Sequence, residues 1–421
     1  MRVWYILMTF PSPTETFVAN DVRALRRLGI DVSVHALRSP RHDAEQLLRE
    51  RGLAGLVVTH GTTVNAMRGV GSICRHPVRA ARTLWWLVRH SARPIHLVKG
   101  LVLLPRIFNL CDRVERDRPE VVHLYWGHYP SILGWLVLEQ APDVVVSLSL
   151  SAYDLLRGFP GSVPVAKRAH LVSTWAAANV GAIASKGVAA EAIYVCRQGV
   201  DLEHLKSRRF DKIPRRLITA GRLISTKGMD DVLRAFALLR SKYPDATLVV
   251  LGDGADRRRL ERLASHLGVH SAVLFRGHVA HDEVFEEVAR AEIFLLLSRD
   301  PDERLPNVVK EAMACRCFVI TTQTPGIDEL IHDAVHGRVV PQGDWEGAAK
   351  WAMAALADPC TTHGMALAAQ NQVIERFDLV RQMQGMLGRW QECYARIPSE
   401  MTASNLKLQH PPSVALGSTD R

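Results

Sequence analysis

Apolar residues in this chain come in short runs, and the segments between them repeat with the ~3.6-residue period of amphipathic helices. In the first half the runs at 3–7, 30–36, 121–124, 144–148, 171–173 and 182–184 read as buried strands. Residues 16–28 read as a helix with Val18, Val22, Leu25 and Leu28 on one face. The second half begins the alternation afresh. It has strands at 217–220, 247–251, 273–275, 293–297 and 318–321, with helices at 229–243, 256–267, 282–289 and 307–314 between them. Continuous apolar strands separated by helices build a parallel sheet covered on both faces. Two such series predict an α/β chain of two doubly wound domains, with ligands at the carboxyl ends of the strands and a cleft between the domains.

The pattern also predicts boundaries. Residues 1–198 form the first domain, a loosened polar stretch at 199–214 the linker, and 215–370 the second domain. A helix at 371–397 is long enough to pack back on the first domain. The segment 398–421 is polar and aperiodic, and reads as a disordered tail.

Composition narrows the class. A chain of 421 residues can bury two cores, and 48% apolar with 23% charged residues is ordinary for a globular protein. The seven cysteines have no ligand spacing, and only one residue separates Cys315 from Cys317. Reduced thiols in a cytoplasmic protein are expected, with neither a disulfide framework nor a metal site. The apolar start at 1–7 meets Phe10-Pro11-Ser12-Pro13 without a small-residue cleavage pattern, so it reads as a first strand and not as a leader. Arg89, Arg93, Pro94 and Lys99 interrupt the most apolar region, and no membrane span is expected.

Charge is placed unevenly. The first 200 residues carry 24 Lys/Arg against 14 Asp/Glu, and the remainder carries 29 of each, so the net +10 lies in the first half. From Arg68 to Arg106 there are eight basic residues and no acidic one, interleaved with Trp85, Trp86, Leu87 and Val88. Such a stretch suits an anionic membrane surface, or else forms solvated helices packed on the domain. Groove-reading or base-stacking motifs are missing, which argues against a nucleic-acid partner.

The sharpest chemical signal is Glu303-Arg-Leu-Pro-Asn-Val-Val-Lys-Glu311, two carboxylates on either side of a predicted helix start. Free N–H groups and the positive dipole end near Leu305–Val308 suit a diphosphate, with a carboxylate on each side to accept hydroxyl hydrogen bonds. Two glutamates at this spacing also occur as plain surface charges. Upstream, Thr219-Ala-Gly-Arg222-Leu-Ile-Ser-Thr-Lys227-Gly228 puts Arg and Lys on one loop after a strand, a pairing able to neutralise phosphates. Leu251-Gly-Asp-Gly254 and Phe275-Arg-Gly277-His278 follow two further strands, and each is a close-approach turn or simply a tight one.

Taken in order from about residue 216 to 344, these blocks resemble the C-terminal domain of family 4 glycosyltransferases, retaining enzymes of the GT-B fold. "FPSPTETFVANDVRALRRLG", "EVVHLYWGH" and "LSLSAYDLL" resemble, more thinly, the acceptor-side segments of the subgroup that builds bacterial surface polysaccharides on a lipid carrier. The resemblance implies that Arg222 and Lys227 bind the donor diphosphate and that Glu303 holds hydroxyls of the transferred sugar. It implies that Glu311 takes the ribose hydroxyls, with Gly277 and His278 near the base. Leu305, Asn307 and Val308 would lie near the phosphates, and Thr14, Glu15, Thr16, His128 and Ser151 on the acceptor side. The nucleotide sugar is then a substrate, and no cofactor or metal is expected; Asp300-Pro-Asp302 reads as loop, not as a metal motif. The implied reaction moves a sugar to a lipid-linked or polysaccharide acceptor on the inner membrane face.

The chain departs from the family at five places. Arg304 and Arg316 stand where the family usually has Gly, Phe318 where it has Pro, and Ser151 where relatives carry a His expected to face the reacting centre. Tyr125 likewise replaces a second His. A family member with decayed acceptor chemistry, serving as a partner in polysaccharide assembly, is the alternative these departures leave open. A sugar-nucleotide epimerase of similar fold has less behind it.

Overall fold

The structure, a computed structural model, describes residues 1–12, 15–156, 161–203 and 211–409. The first sheet holds β1 (Arg2–Leu7), β2 (Asp31–Ala36), β3 (Val57–His60), β4 (Val121–Leu124), β5 (Val145–Ser149), β6 (Leu171–Thr174) and β7 (Ile193–Val195), in the order β3-β2-β1-β4-β5-β6-β7. The second holds β8 (Arg216–Ala220), β9 (Thr247–Leu251), β10 (Val273–Gly277), β11 (Ile293–Leu296), β12 (Phe318–Thr322) and β13 (Arg338–Val340), in the order β10-β9-β8-β11-β12-β13. Every pairing is parallel, in register over runs such as Tyr5↔Val34 and Ile218↔Val249. Strand order therefore reverses twice, between β1 and β4 and between β8 and β11, and loops part at those points to leave a crevice.

The strands are buried on both faces, which is why they read as unbroken apolar runs. In the first sheet Ile6, Leu124 and Val146 point to one core, while Tyr5, Val34 and Val145 point to the other. Three expectations fail locally. Residues 182–184 belong to the helix Val180–Ala184, because Ala177, Ala178, Ala182 and Ala184 favour helix, and the strand of that region is β7 instead. Edge strands β3 and β13 were not foreseen; at four and three residues they are too short to show a period. The segment after Pro398 is not irregular from its start: the helix Leu379–Gln409 runs through it, carried by helix formers such as Met401, Ala403, Leu406 and Lys407. Residues 410–421 lie outside the described residues, as does 204–210 of the expected linker.

The chain crosses between domains twice, and the crossings are tied together. Val200 N–H donates to the Phe377 carbonyl at 2.8 Å, and Leu379 N–H donates to the Val200 carbonyl at 3.1 Å. Past this point the helix Leu379–Gln409 lies on the first sheet. Leu379, Met383, Met386 and Trp390 join a core with Val3, Tyr5 and Val145, and Trp390 Nε1 donates to Ser147 Oγ at 2.9 Å.

The basic stretch folds into the helices Thr63–Arg75, Pro77–Arg89 and the start of Pro94–Asp117. By length and composition the last is apolar enough to cross a membrane, with a mean hydropathy of 1.3. Leu103, Leu104, Ile107, Phe108, Cys111 and Val114 nevertheless build it into the first core. Folding also neutralises part of the charge excess. Arg75 and Arg79 pair with Asp112, Arg79 also with Glu115, and Arg82 with Glu139.

Candidate active site

The carboxyl ends of the two sheets face each other across a cleft of ≈ 320 Å³. The first domain contributes Phe17, Trp126, Ser151, Tyr153 and Trp175, from loops and helix starts after β1, β4, β5 and β6. The second contributes Arg222 and Lys227 after β8, and Asp300, Asp302, Glu303, Arg304, Leu305 and Asn307 after β11. Both topological switch points thus open into one space.

The loops after β8 and β11 are joined before any ligand arrives. Arg299 N–H donates to the Thr226 carbonyl at 2.7 Å, and Ser298 Oγ donates to it at 3.3 Å. Gly228 makes this contact possible. It has φ +65°, and a Cβ there would lie 1.8 Å from the Leu297 carbonyl oxygen. Close approach brings Lys227 Nζ to 2.7 Å from Glu303 Oε1 and 3.4 Å from Asp300 Oδ2, with all three side chains nearly buried. Glu303 Oε2 is buried without a hydrogen-bond partner among the described residues. Such an oxygen destabilises by ~1–3 kcal/mol until a donor reaches it, so a ligand hydroxyl is well placed there. Arg222 is exposed, and its side chain makes no hydrogen bond or ion pair among the described residues.

No side chain caps the helix Asn307–Ala314, so its first N–H groups and positive end are left for an anion at the cleft. Behind its first turn Lys310 is fully buried, its Nζ donating to the Gln198 carbonyl at 2.6 Å. Burial pushes this ammonium down to about 7. Burial likewise raises the Asp21 carboxyl to about 7, although it accepts a 2.8 Å hydrogen bond from Tyr125.

A second cavity of ≈ 500 Å³ adjoins the cleft at Arg222, which borders both. Thr16, Arg23, Gly252, Asp253 and His278 also line it. A larger cavity of ≈ 770 Å³ touches Ile293 and Phe318, the first residues of β11 and β12, and so lies at the opposite strand ends, away from the cleft.

Residues 201–372 match the family described as glycosyl transferases group 1. The chain is a glycosyltransferase whose second domain is of the group 1 type. It is 25% identical over 402 residues to the putative colanic acid biosynthesis glycosyltransferase WcaL of Salmonella typhimurium, covering 90% of this chain and 96% of that one. It is 27% identical over 367 residues to the amylovoran biosynthesis glycosyltransferase AmsK of Erwinia amylovora, covering 83% and 89%. HepE of Anabaena, solved in complex with UDP, superposes with a TM-score of 0.70 at 18% identity, over 93% of this chain and all of HepE. That likeness shows the GT-B fold.

Within this glycosyltransferase the expected donor residues divide. Arg222, Lys227, Glu303, Leu305 and Asn307 meet at the cleft, and His278 at the adjoining cavity. Gly277, at φ +72°, accepts a 2.8 Å hydrogen bond from Gly252 N–H with its carbonyl, joining the ends of β10 and β9. Val308 packs against the core of the second domain, and Glu311, 8% exposed, lines neither cavity. Val308 is turned about 100° from Asn307 around the helix, whereas Glu311, four residues on, shares the Asn307 side one turn farther from the helix start.

Of the residues expected on the acceptor side, Ser151 lines the cleft and donates from Oγ to Asp154 Oδ2 at 2.8 Å. His128 Nδ1 lies 3.5 Å from the other Asp154 oxygen, and Thr16 borders the second cavity. Burial raises the Glu15 carboxyl, against the lowering pull of His128 and Arg51. Thr14 lies outside the described residues.

The structure adds Phe17, Trp126, Tyr153, Trp175, Asn179 and Gln198 to the cleft, and shows what Arg304 does: its Nε donates to Asn179 Oδ1 at 3.1 Å, across the domains. Trp126 stands inside the HLYWGH segment, so that signal was in view. Trp175 and Asn179 had none, because only the order of β4, β5 and β6 brings their loops together.

Proposed function

We propose that this glycosyltransferase moves one sugar, with retained anomeric configuration, from a nucleotide diphosphate sugar to a lipid-linked or polysaccharide acceptor in bacterial exopolysaccharide assembly. The observation that carries the reading is the Lys227–Glu303 pair, 2.7 Å apart, in a cleft that Arg222 also lines, with Glu303 Oε2 and the Arg222 side chain both without partners among the described residues. Arg222, Lys227 and the start of the helix Asn307–Ala314 supply positive charge for the diphosphate as the C1–O bond breaks, and Glu303 takes a hydroxyl of the moving sugar. Charge on the leaving nucleotide is neutralised by these cations, so the reading calls for no cofactor. WcaL and AmsK carry names in colanic acid and amylovoran synthesis, and HepE was solved with UDP, which supports the polymer class and a nucleotide donor.

The reading includes an anionic membrane surface as partner, on the cytoplasmic face. Among the described residues, Val64, Met67, Val70, Val78, Trp85, Val88, Ile95, Val98 and Val102 are exposed on three successive helices. Arg89, Arg93 and Lys99 lie among them, exposed and without ion pairs among the described residues. An apolar face ringed by unpaired cations suits anionic lipid better than water or a neutral protein.

The deciding experiment is thermal melting of the full chain with UDP, GDP or ADP. One nucleotide at a hundred times its Kd stabilises the native state by about 2.7 kcal/mol and raises Tm. No shift with any of the three removes the reading.

A further inference from the structure

Of the four aromatic rings on the first-domain side of the cleft, Phe17, Trp126 and Trp175 pack on one another, and the donor chemistry does not use them. Phe17 comes from the first turn of the helix Thr16–Arg27, Trp126 from just past β4, and Trp175 from just past β6. Trp126 and Trp175 meet edge to face with centroids 5.0 Å apart, and Phe17 lies 6.2 and 6.1 Å from them. All three are half-buried and form the outer layer of the core, with their remaining surface at the cleft. Tyr125, fully buried behind them, stacks on Phe17 at 6.0 Å, and its hydroxyl is held by Asp21. The wall is therefore packed from behind before any ligand binds.

We infer that Phe17, Trp126 and Trp175 form the acceptor subsite of this cleft, and that it takes a pyranose ring of a saccharide by stacking. The inference rests on the glycosyl-transfer reading above and adds the chemical class recognised next to the reacting centre. A pyranose presents a face of C–H bonds, weakly positive, and an edge of hydroxyls. The π face of an indole is negative and apolar, so it complements the first and leaves the second for polar neighbours. Those neighbours are present. Asn307 Nδ2 donates to Gln198 Oε1 at 3.2 Å, which leaves Asn307 Oδ1 buried without a partner and Gln198 Nε2 without an acceptor among the described residues. One free acceptor and one free donor, side by side on the cleft, match what a hydroxyl offers. An isoprenoid tail would cover the rings and leave both amide groups unsatisfied. A bare lipid phosphate would find the cleft's cations on the far wall, at Arg222, Lys227, Arg304 and Lys310, beside the place the donor diphosphate takes and away from the rings.

The test is saturation-transfer difference NMR on the full chain with the methyl glycosides of glucose, galactose, mannose and fucose, in the presence of UDP or GDP. Ring C–H protons of at least one glycoside should receive saturation. Trp126→Ala and Trp175→Ala should each weaken that binding about 10-fold, while Trp126→Phe restores part of it and nucleotide affinity stays unchanged in all three. Trp85→Ala, on the far helices, should change nothing. Nucleotide bound but no glycoside saturated would overturn the inference alone, as would glycoside binding untouched by both alanine variants. Dodecyl phosphate binding in place of every glycoside would overturn it in favour of a lipid phosphate. Failure to bind any nucleotide would strike the glycosyl-transfer reading itself. Melting curves of each variant, matched to the parent, identify loss of fold.

Discussion

Glu303 and Lys227 are 76 residues apart in the chain and 2.7 Å apart in space, and the two oxygens of that one carboxylate have different work. Oε1 holds the ammonium, while Oε2 waits for a donor. Glu303→Gln keeps the shape and removes the charge, so turnover should fall while nucleotide affinity changes little. Arg222→Ala should do the reverse at the binding step. A charge-assisted hydrogen bond is worth ~1.5–3 kcal/mol, so nucleotide affinity should drop roughly 10- to 100-fold by calorimetry, with an unchanged melting curve in buffer. Equal affinity in Arg222→Ala would remove it from the phosphate site. Glu311 makes a sharper contrast than its motif suggests. Buried and off both cavities, Glu311→Gln should alter nucleotide binding only if ligand entry turns the helix Asn307–Ala314.

At the scale of elements, the three helices from Thr63 to the first turns of Pro94–Asp117 behave differently from the rest. Elsewhere apolar positions mark the core, as Val18, Val22 and Leu25 do. Here Trp86 and Leu87 are buried, whereas Trp85, at 67% exposed, and Val88 face out. Apolar side chains on both faces of one helix are why its period alone could not separate packing from an interface. Charge separates them only after folding, since Arg75, Arg79 and Arg82 pair with carboxylates and, among the described residues, Arg89, Arg93 and Lys99 do not. Neutralising those last three to Gln should weaken binding to vesicles containing phosphatidylglycerol. At roughly 1 kcal/mol per charge the loss is on the order of 100-fold, shrinking as salt rises. The triple Arg75/Arg79/Arg82 variant should lose stability instead. Equal vesicle binding by parent and the Arg89/Arg93/Lys99 variant would dismiss an electrostatic role for this face.

For the whole molecule, the first core carries an acid sensitivity that belongs to no active-site group. His35 packs against Trp4 with centroids 4.1 Å apart, and neither of its ring nitrogens has a hydrogen-bond partner among the described residues. Burial pushes it down to about 3, and does the same to His123, which sits between Tyr5 and Trp390. In the unfolded chain each takes a proton near pH ~6.5. Between that pH and about 3 the unfolded state binds protons that the fold excludes, so stability present above pH ~6.5 is lost as pH falls through the window. Each histidine contributes about 1.4 kcal/mol per pH unit there. Tm measured by circular dichroism should decline from pH 7 to 4, and His35→Phe, with a ring and no proton to gain, should flatten the decline. An identical slope in parent and variant would assign the acid loss to other groups.

Sequence alone determined most strands of the two series and the helix Asn307–Ala314 to the residue. All of these rest on interactions within a few residues: the period of a helix, the burial of a strand, the turn after it. Only the tertiary structure decided what faces what. Strand order, set by crossovers that leave no local trace, brings Phe17, Trp126 and Trp175 from three loops to one wall. Packing between the domains joins Arg304 to Asn179 and Lys310 to Gln198, which gives both residues a place in the cleft. Trp390 closes the C-terminal helix onto Ser147, 243 residues earlier in the chain, because that indole finds both an apolar pocket and an acceptor there.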